Sequence, residues 1–211
     1  MVENNSSSAI SPGFKQIVEN SHRIFTVFTG ATLSFYVSDL FMEKDAWRFW
    51  AVPAVIALML RYIIGSAIHL NQTYVNAKTE PSCGWLFFDI VCLVVFGFLA
   101  LFIIRGPDDI DTLLWRSLYF VVAGFSWSAI AFLFRGGKQA EIGGTWMKID
   151  GIQAVVTLLM ILVPINWFAY PWLLSLLFTQ DPQVAKAMIM ALAYSIFLYF
   201  DFREMVRWAR D

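Results

Sequence analysis

Apolar positions along this chain come in long blocks, separated by short stretches carrying charge, Gly, Pro or Trp. Six blocks reach the roughly twenty mostly apolar residues that a membrane-crossing helix requires. They fall at 24–42, 50–70, 85–104, 113–134, 152–170 and 184–202. After the fifth, the apolar run continues through Pro171 to Phe178, too short to cross again, and reads as a kinked extension or an interfacial segment beneath Trp167, Tyr170 and Trp172. No internal repeat is visible, and no loop is long enough for a separate domain. The pattern predicts one all-α domain, a polytopic integral membrane bundle of six helices over residues 1–211.

Composition strengthens this expectation. Of 211 residues, 59% are apolar and only 15% charged, with 20 Phe and 9 Trp, and the mean hydropathy is +0.63. Soluble chains run at about 45–50% apolar and about 25% charged. The net charge of −1 gives no electrostatic reason for a nucleic-acid partner. Two cysteines, Cys83 and Cys92, form no metal-ligand or disulfide framework, and no metal or other cofactor is expected. The polar stretch from Met1 to Pro12 lacks the basic-then-apolar form of a cleavable signal, so the first helix is expected to be retained.

Orientation follows from the Lys/Arg bias of short loops. With six spans, nine basic residues (Lys15, Arg23, Lys78, Arg135, Lys138, Lys148, Arg203, Arg207, Arg210) lie on the side of the termini and five on the other. Both termini are therefore expected in the cytoplasm, with the chain in the plasma (inner) membrane. Ser11 and Pro12 read as the N-cap and first position of a short interfacial helix before span one, or equally as a solvated lead-in. The glycines of Arg135-Gly136-Gly137-Lys138 and of Gly143-Gly144 read as turns in a cytoplasmic loop.

Polar groups within the spans are the candidate functional residues, because each is costly in hydrocarbon. Arg61 lies nine residues before the cytoplasmic end of span two and Asp89 four residues into span three. Consecutive spans joined by a short loop should be antiparallel neighbours, so an Arg61–Asp89 ion pair is expected, either locking two helices or serving a conduction or proton path. Arg61, Gly65, His69 and Thr73 share one face, which places His69 near the cytoplasmic surface as a pH-sensitive gate or as a plain interfacial side chain. On span one, Thr26, Gly30, Ser34 and Ser38 recur every four residues, with Thr29 beside them. Such a stripe is either a close-packing seam or the lining of a wet pathway. Asp39 and the turn holding Asp108, Asp109 and Asp111 make the outer face acidic, a rim that concentrates cations or is merely solvated. Arg116 is expected to pair with Asp39 or to snorkel outward, and Pro164 with Asn166 marks a mid-membrane kink in span five, a hinge or a site. No GxSxG, HExxH or glycine-rich phosphate loop is present, so catalysis has no sequence support.

The stretch Arg23-Ile24-Phe25-Thr26-Val27-Phe28-Thr29-Gly30 and a second helix ending at His69 resemble the six-helix potassium-channel family of endolysosomes and prokaryotes. In that family the first helix carries an Arg followed by a Phe-Ser-Asp motif. Here the Arg-to-Phe spacing is one residue longer and Gly30 stands where the family has aspartate. The resemblance implies a cation pathway lined by span one in an oligomer. Together these readings lead to a small channel- or transporter-like protein passing a cation or small solute, with membrane lipids and copies of itself or other membrane subunits as partners. The alternative is a non-catalytic subunit, anchor or scaffold of a larger membrane complex, with a membrane-disrupting or lipid-handling protein as a third reading.

Overall fold

The computed structural model describes residues 12–42, 45–75, 82–105, 107–164 and 179–208, with a few positions between 166 and 177. Among these the secondary structure is entirely helical, in six long helices: α1 (Pro12–Met42), α2 (Ala46–Leu70, continued by a wider π turn over Asn71–Val75), α3 (Cys83–Ile104), α4 (Ile110–Phe134), α5 (Gly137–Leu162) and α6 (Pro182–Trp208). Five segments are long and apolar enough to cross a membrane: Ala46–Val75, Cys83–Ile104, Ile110–Phe134, Ala140–Leu162 and Pro182–Glu204. The first expected span lies inside α1, which runs unbroken for 31 residues, so residues 12–23 continue into it rather than forming a separate interfacial helix. Ser11, the expected N-cap, falls outside the described residues.

Local signals set several helix starts. The Ser82 hydroxyl accepts from the Gly84 amide at the head of α3, and the Asp109 carboxylate accepts from Thr112 N at 2.6 Å at the head of α4. Asp181 does the same for Gln183 N at 2.8 Å, with Pro182 in the first position of α6.

Span five differs most from expectation. Its helix begins at Gly137, not near residue 152, and stops at Leu162, so Pro164 lies beyond its end and kinks nothing. Gly143 and Gly144 are not turn residues. They lie inside α5 against α4, where a Cβ on Gly143 would stand 2.7 Å from Phe132 N and one on Gly144 would stand 2.9 Å from the Phe132 ring. Their missing side chains let two backbones approach closely, the role small residues serve between membrane helices. Residues 172, 174–176 and 178 of the expected interfacial segment lie outside the described residues.

α4 packs most extensively on α5, and α2 on α6, with α1 and α3 alongside. The bundle is inverted relative to a soluble protein. Phe87, Phe98, Leu133 and Phe134 are each about two-thirds exposed or more, while Arg61, Asp89, Asp150, Lys186 and Asp201 are buried. Apolar surface outward and charge inward is the arrangement of an integral, multi-pass membrane protein.

Candidate functional site

Helical periodicity gathers most of the buried polar residues onto facing sides of four helices. On α2 these are Arg61, Ser66 and His69; on α5, Asp150, Gln153 and Thr157; on α6, Lys186, Tyr194 and Asp201; α4 adds Ser117. Spacings of three, four, seven and eight residues keep most of each set on one side of its helix. The result is a file of polar groups down the interior of the bundle, in three charged clusters.

At the end nearer the termini, Asp89 of α3 is the centre. Its Oδ1 accepts from Arg135 Nη2 at 2.7 Å and from Trp127 Nε1 at 2.8 Å; its Oδ2 accepts from the Tyr74 hydroxyl at 2.5 Å and lies 3.2 Å from His69 Nε2. His69 Nε2 is also 2.9 Å from Arg135 Nη1. The Arg135 guanidinium stacks 4.7 Å from the Trp85 ring centroid, and the His69 ring meets that of Trp127 edge to face. Every strong acceptor site of the carboxylate is thereby occupied.

Deeper, Arg61 is held between two carboxylates. Nη2 donates to Asp150 Oδ1 at 2.7 Å, and Nε donates to Asp201 Oδ2. Asp150 Oδ2 accepts from the Ser128 hydroxyl at 3.1 Å. Between this cluster and the first lies a cavity of about 40 Å³ lined by Arg61, His69, Trp127, Ser128, Trp146, Asp150 and Asp201, among others. That is about three times the minimum of 10–15 Å³ that one water occupies. Arg61 Nη1, Trp146 Nε1 and Asp201 Oδ1, all buried, have no hydrogen-bond partner among the described residues.

Beyond Arg61 the file continues through Gln153, fully buried with its amide unpartnered, to the Thr157 and Tyr194 hydroxyls 3.0 Å apart. It ends where Lys186, fully buried, pairs with Asp111 and donates to Val163 O at 3.2 Å. Lys186 ties the starts of α4 and α6 to the end of α5.

The expected Arg61–Asp89 pair is not what forms. α2 finds its main partner in α6, which runs in the same direction, and not in the next helix along the chain. Asp89 sits at the level of His69, eight residues from Arg61 and so about 12 Å along the axis, where Arg135 satisfies it instead. His69 does stand at the cytoplasm-expected end, within the Asp89 cluster. The span-one stripe divides. Thr29 and its neighbour Thr32 are buried against the bundle, Thr26 is half-buried, and Gly30, Ser34 and Ser38 are exposed. The hydroxyls of Thr26, Thr29 and Ser34 donate to their own helix, to the carbonyls of His22, Phe25 and Gly30.

The acidic rim also divides: Asp108 is exposed, Asp109 caps α4 and Asp111 pairs with Lys186, while the Asp39 side chain lies outside the described residues. Arg116 donates to Phe102 O and Arg105 O.

Asp150, Asp201 and Lys186 were missed as site residues. Asp150 falls two positions before the expected fifth span, and Asp201 and Lys186 sit near the ends of the sixth, where a charge looks interfacial. The legible signal for Asp201 is its flanking by Tyr199, Phe200 and Phe202. Comparisons with family models, with curated proteins and with solved structures return no match for this chain.

Proposed function

We propose that this is a channel- or transporter-like membrane protein that moves a cation or small solute along the polar file between α2, α4, α5 and α6. One observation carries the reading: Arg61 is suspended between two buried carboxylates beside a cavity with unpartnered donor and acceptor atoms. A purely structural ion pair would saturate its hydrogen bonds and exclude space around itself. Here polar capacity is left over where a small polar guest fits. The clusters at the two ends of the file, Asp89–Arg135–His69 and Lys186–Asp111, then stand as closures on either side of a central site. The path sought along span one moves to the interior of the chain.

The test is flux from the purified protein in liposomes, with potassium inside and a sodium gradient outside. Flux is expected from the wild type and from Ser34→Leu, whose side chain faces outward, and is expected to be lost in Asp150→Leu. No flux from folded, inserted protein overturns the reading in favour of a subunit or anchor of a larger complex. Flux lost in Ser34→Leu but kept in Asp150→Leu returns the path to α1.

A further inference from the structure

Resting on that reading, we propose that the species handled at the centre of the bundle is the proton: the Arg61–Asp150–Asp201 triad binds one exchangeable proton, on Asp201, and exchanges it with the side of the termini through cavity water and His69.

Charge arithmetic is the first support. One guanidinium and two carboxylates sum to −1, and the three side chains are 2%, 5% and 0% exposed. A net buried charge in hydrocarbon is costly enough that a counter-charge joins it. The open valences then decide which cation that is. Asp150 uses both oxygens, one on Arg61 and one on Ser128, and Asp201 uses Oδ2 on Arg61. One carboxylate oxygen, Asp201 Oδ1, remains without a partner. A hard metal cation asks for about six or more oxygens, whereas a proton asks for one. Among the described residues, no group of three or more His, Cys, Asp or Glu side chains is placed to hold a metal. The other open atoms on the cavity wall, Arg61 Nη1 and Trp146 Nε1, are N–H donors. They repel a metal ion and orient the oxygen of a water.

The step balances simply. An O–H bond forms on Asp201 Oδ1 as a cavity water, itself protonated from the bulk on the side of the termini, gives up its proton, and the reverse step releases it. The groups facing Asp201 are Arg61 and Tyr62 from α2 and Asp150 from α5.

His69 supplies the connection outward. It lines the same cavity, and its Nε2 lies between the Asp89 carboxylate at 3.2 Å and the Arg135 guanidinium at 2.9 Å. Protonated, Nε2 donates to Asp89; unprotonated, it accepts from Arg135. Each state satisfies one of the two neighbours, so the imidazole relays a proton without leaving its site. Tyr74 and Trp127 complete the surroundings by donating to Asp89.

The experiment is infrared difference spectroscopy on the full chain in lipid, titrated with pH and repeated in heavy water. A carbonyl stretch of a protonated carboxylic acid is expected in the wild type, titrating away as pH rises, absent in Asp201→Asn and shifted but present in Asp201→Glu. Melting of each variant is followed in parallel, and the glutamate variant keeps the test open where the amide variant fails to fold. A band that survives Asp201→Asn, that ignores external pH, or that never appears overturns the proposal. The same preparations, loaded with a trapped pH dye under an imposed membrane potential, report proton entry. Sodium or potassium flux without an acid band defeats the proton assignment and leaves the transport reading standing. A titrating acid band with no flux of any ion defeats the transport reading and leaves the proton site.

Discussion

Arg61 shows how much one side chain settles here. A guanidinium offers several donors in a rigid plane, so it bridges carboxylates from two helices at once, and Asp150 and Asp201 lie 89 and 140 residues further along the chain. Removing it would leave two buried carboxylates facing each other. Arg61→Met is therefore expected to destabilise the protein by about 3–5 kcal/mol, the range for removing one partner of a buried pair. The triple variant Arg61→Met, Asp150→Asn, Asp201→Asn is expected to regain most of that loss, because no uncompensated charge remains. Melting of the detergent-purified variants checks both. A triple variant as unstable as the single one would show that packing, not charge, explains the effect.

At the scale of helices, the decisive contacts come from glycines rather than from hydroxyls. Gly143 has Phe132 N, Ser128 O and the Ala131 carbonyl carbon within 3.1 Å of where a Cβ would sit, all backbone atoms that cannot swing aside. Gly30 has nothing within 4 Å. Gly143→Leu is expected to cost at least about 1–3 kcal/mol by forcing α4 and α5 apart, with Gly30→Leu within about 0.5 kcal/mol of the wild type, as for an ordinary surface site; thermal unfolding in one detergent compares them. The same contrast explains what was legible in the sequence. Helix number and class follow from block length, since the bilayer demands about twenty apolar residues per crossing. Arg61, Asp89 and His69 stand out because charge inside an apolar block is rare. Their partners do not, because pairing depends on which helices are neighbours in space, and α2 packs chiefly on α6 rather than on α3. Gly143-Gly144 looks like a turn for the same reason: a glycine that admits a neighbouring backbone and a glycine that bends its own are identical letters. Asp150 was lost with it, since misplacing the start of α5 put that carboxylate in water.

For the molecule as a whole, charge is sorted by depth. The Lys/Arg bias expects the Asp89 end of the bundle, with both termini, in the cytoplasm. Cys83, exposed at the start of α3, stands at that end, and Cys92 is half-buried within the helix. A membrane-impermeant maleimide is therefore expected to leave Cys83 unlabelled in intact cells and to label it in inside-out vesicles; the opposite pattern reverses the topology. The wide separation of the Arg61 partners also bears on how the chain is made. A ribosome adds roughly 5–20 residues per second, so Asp201 emerges roughly 7–28 s after Arg61. For that interval α2 carries a guanidinium whose insertion at mid-membrane costs about 2.5–3.5 kcal/mol on the translocon scale, offset only by its own apolar residues. The triad is complete when α6 arrives, so α6 closes the charge centre that α2 opened.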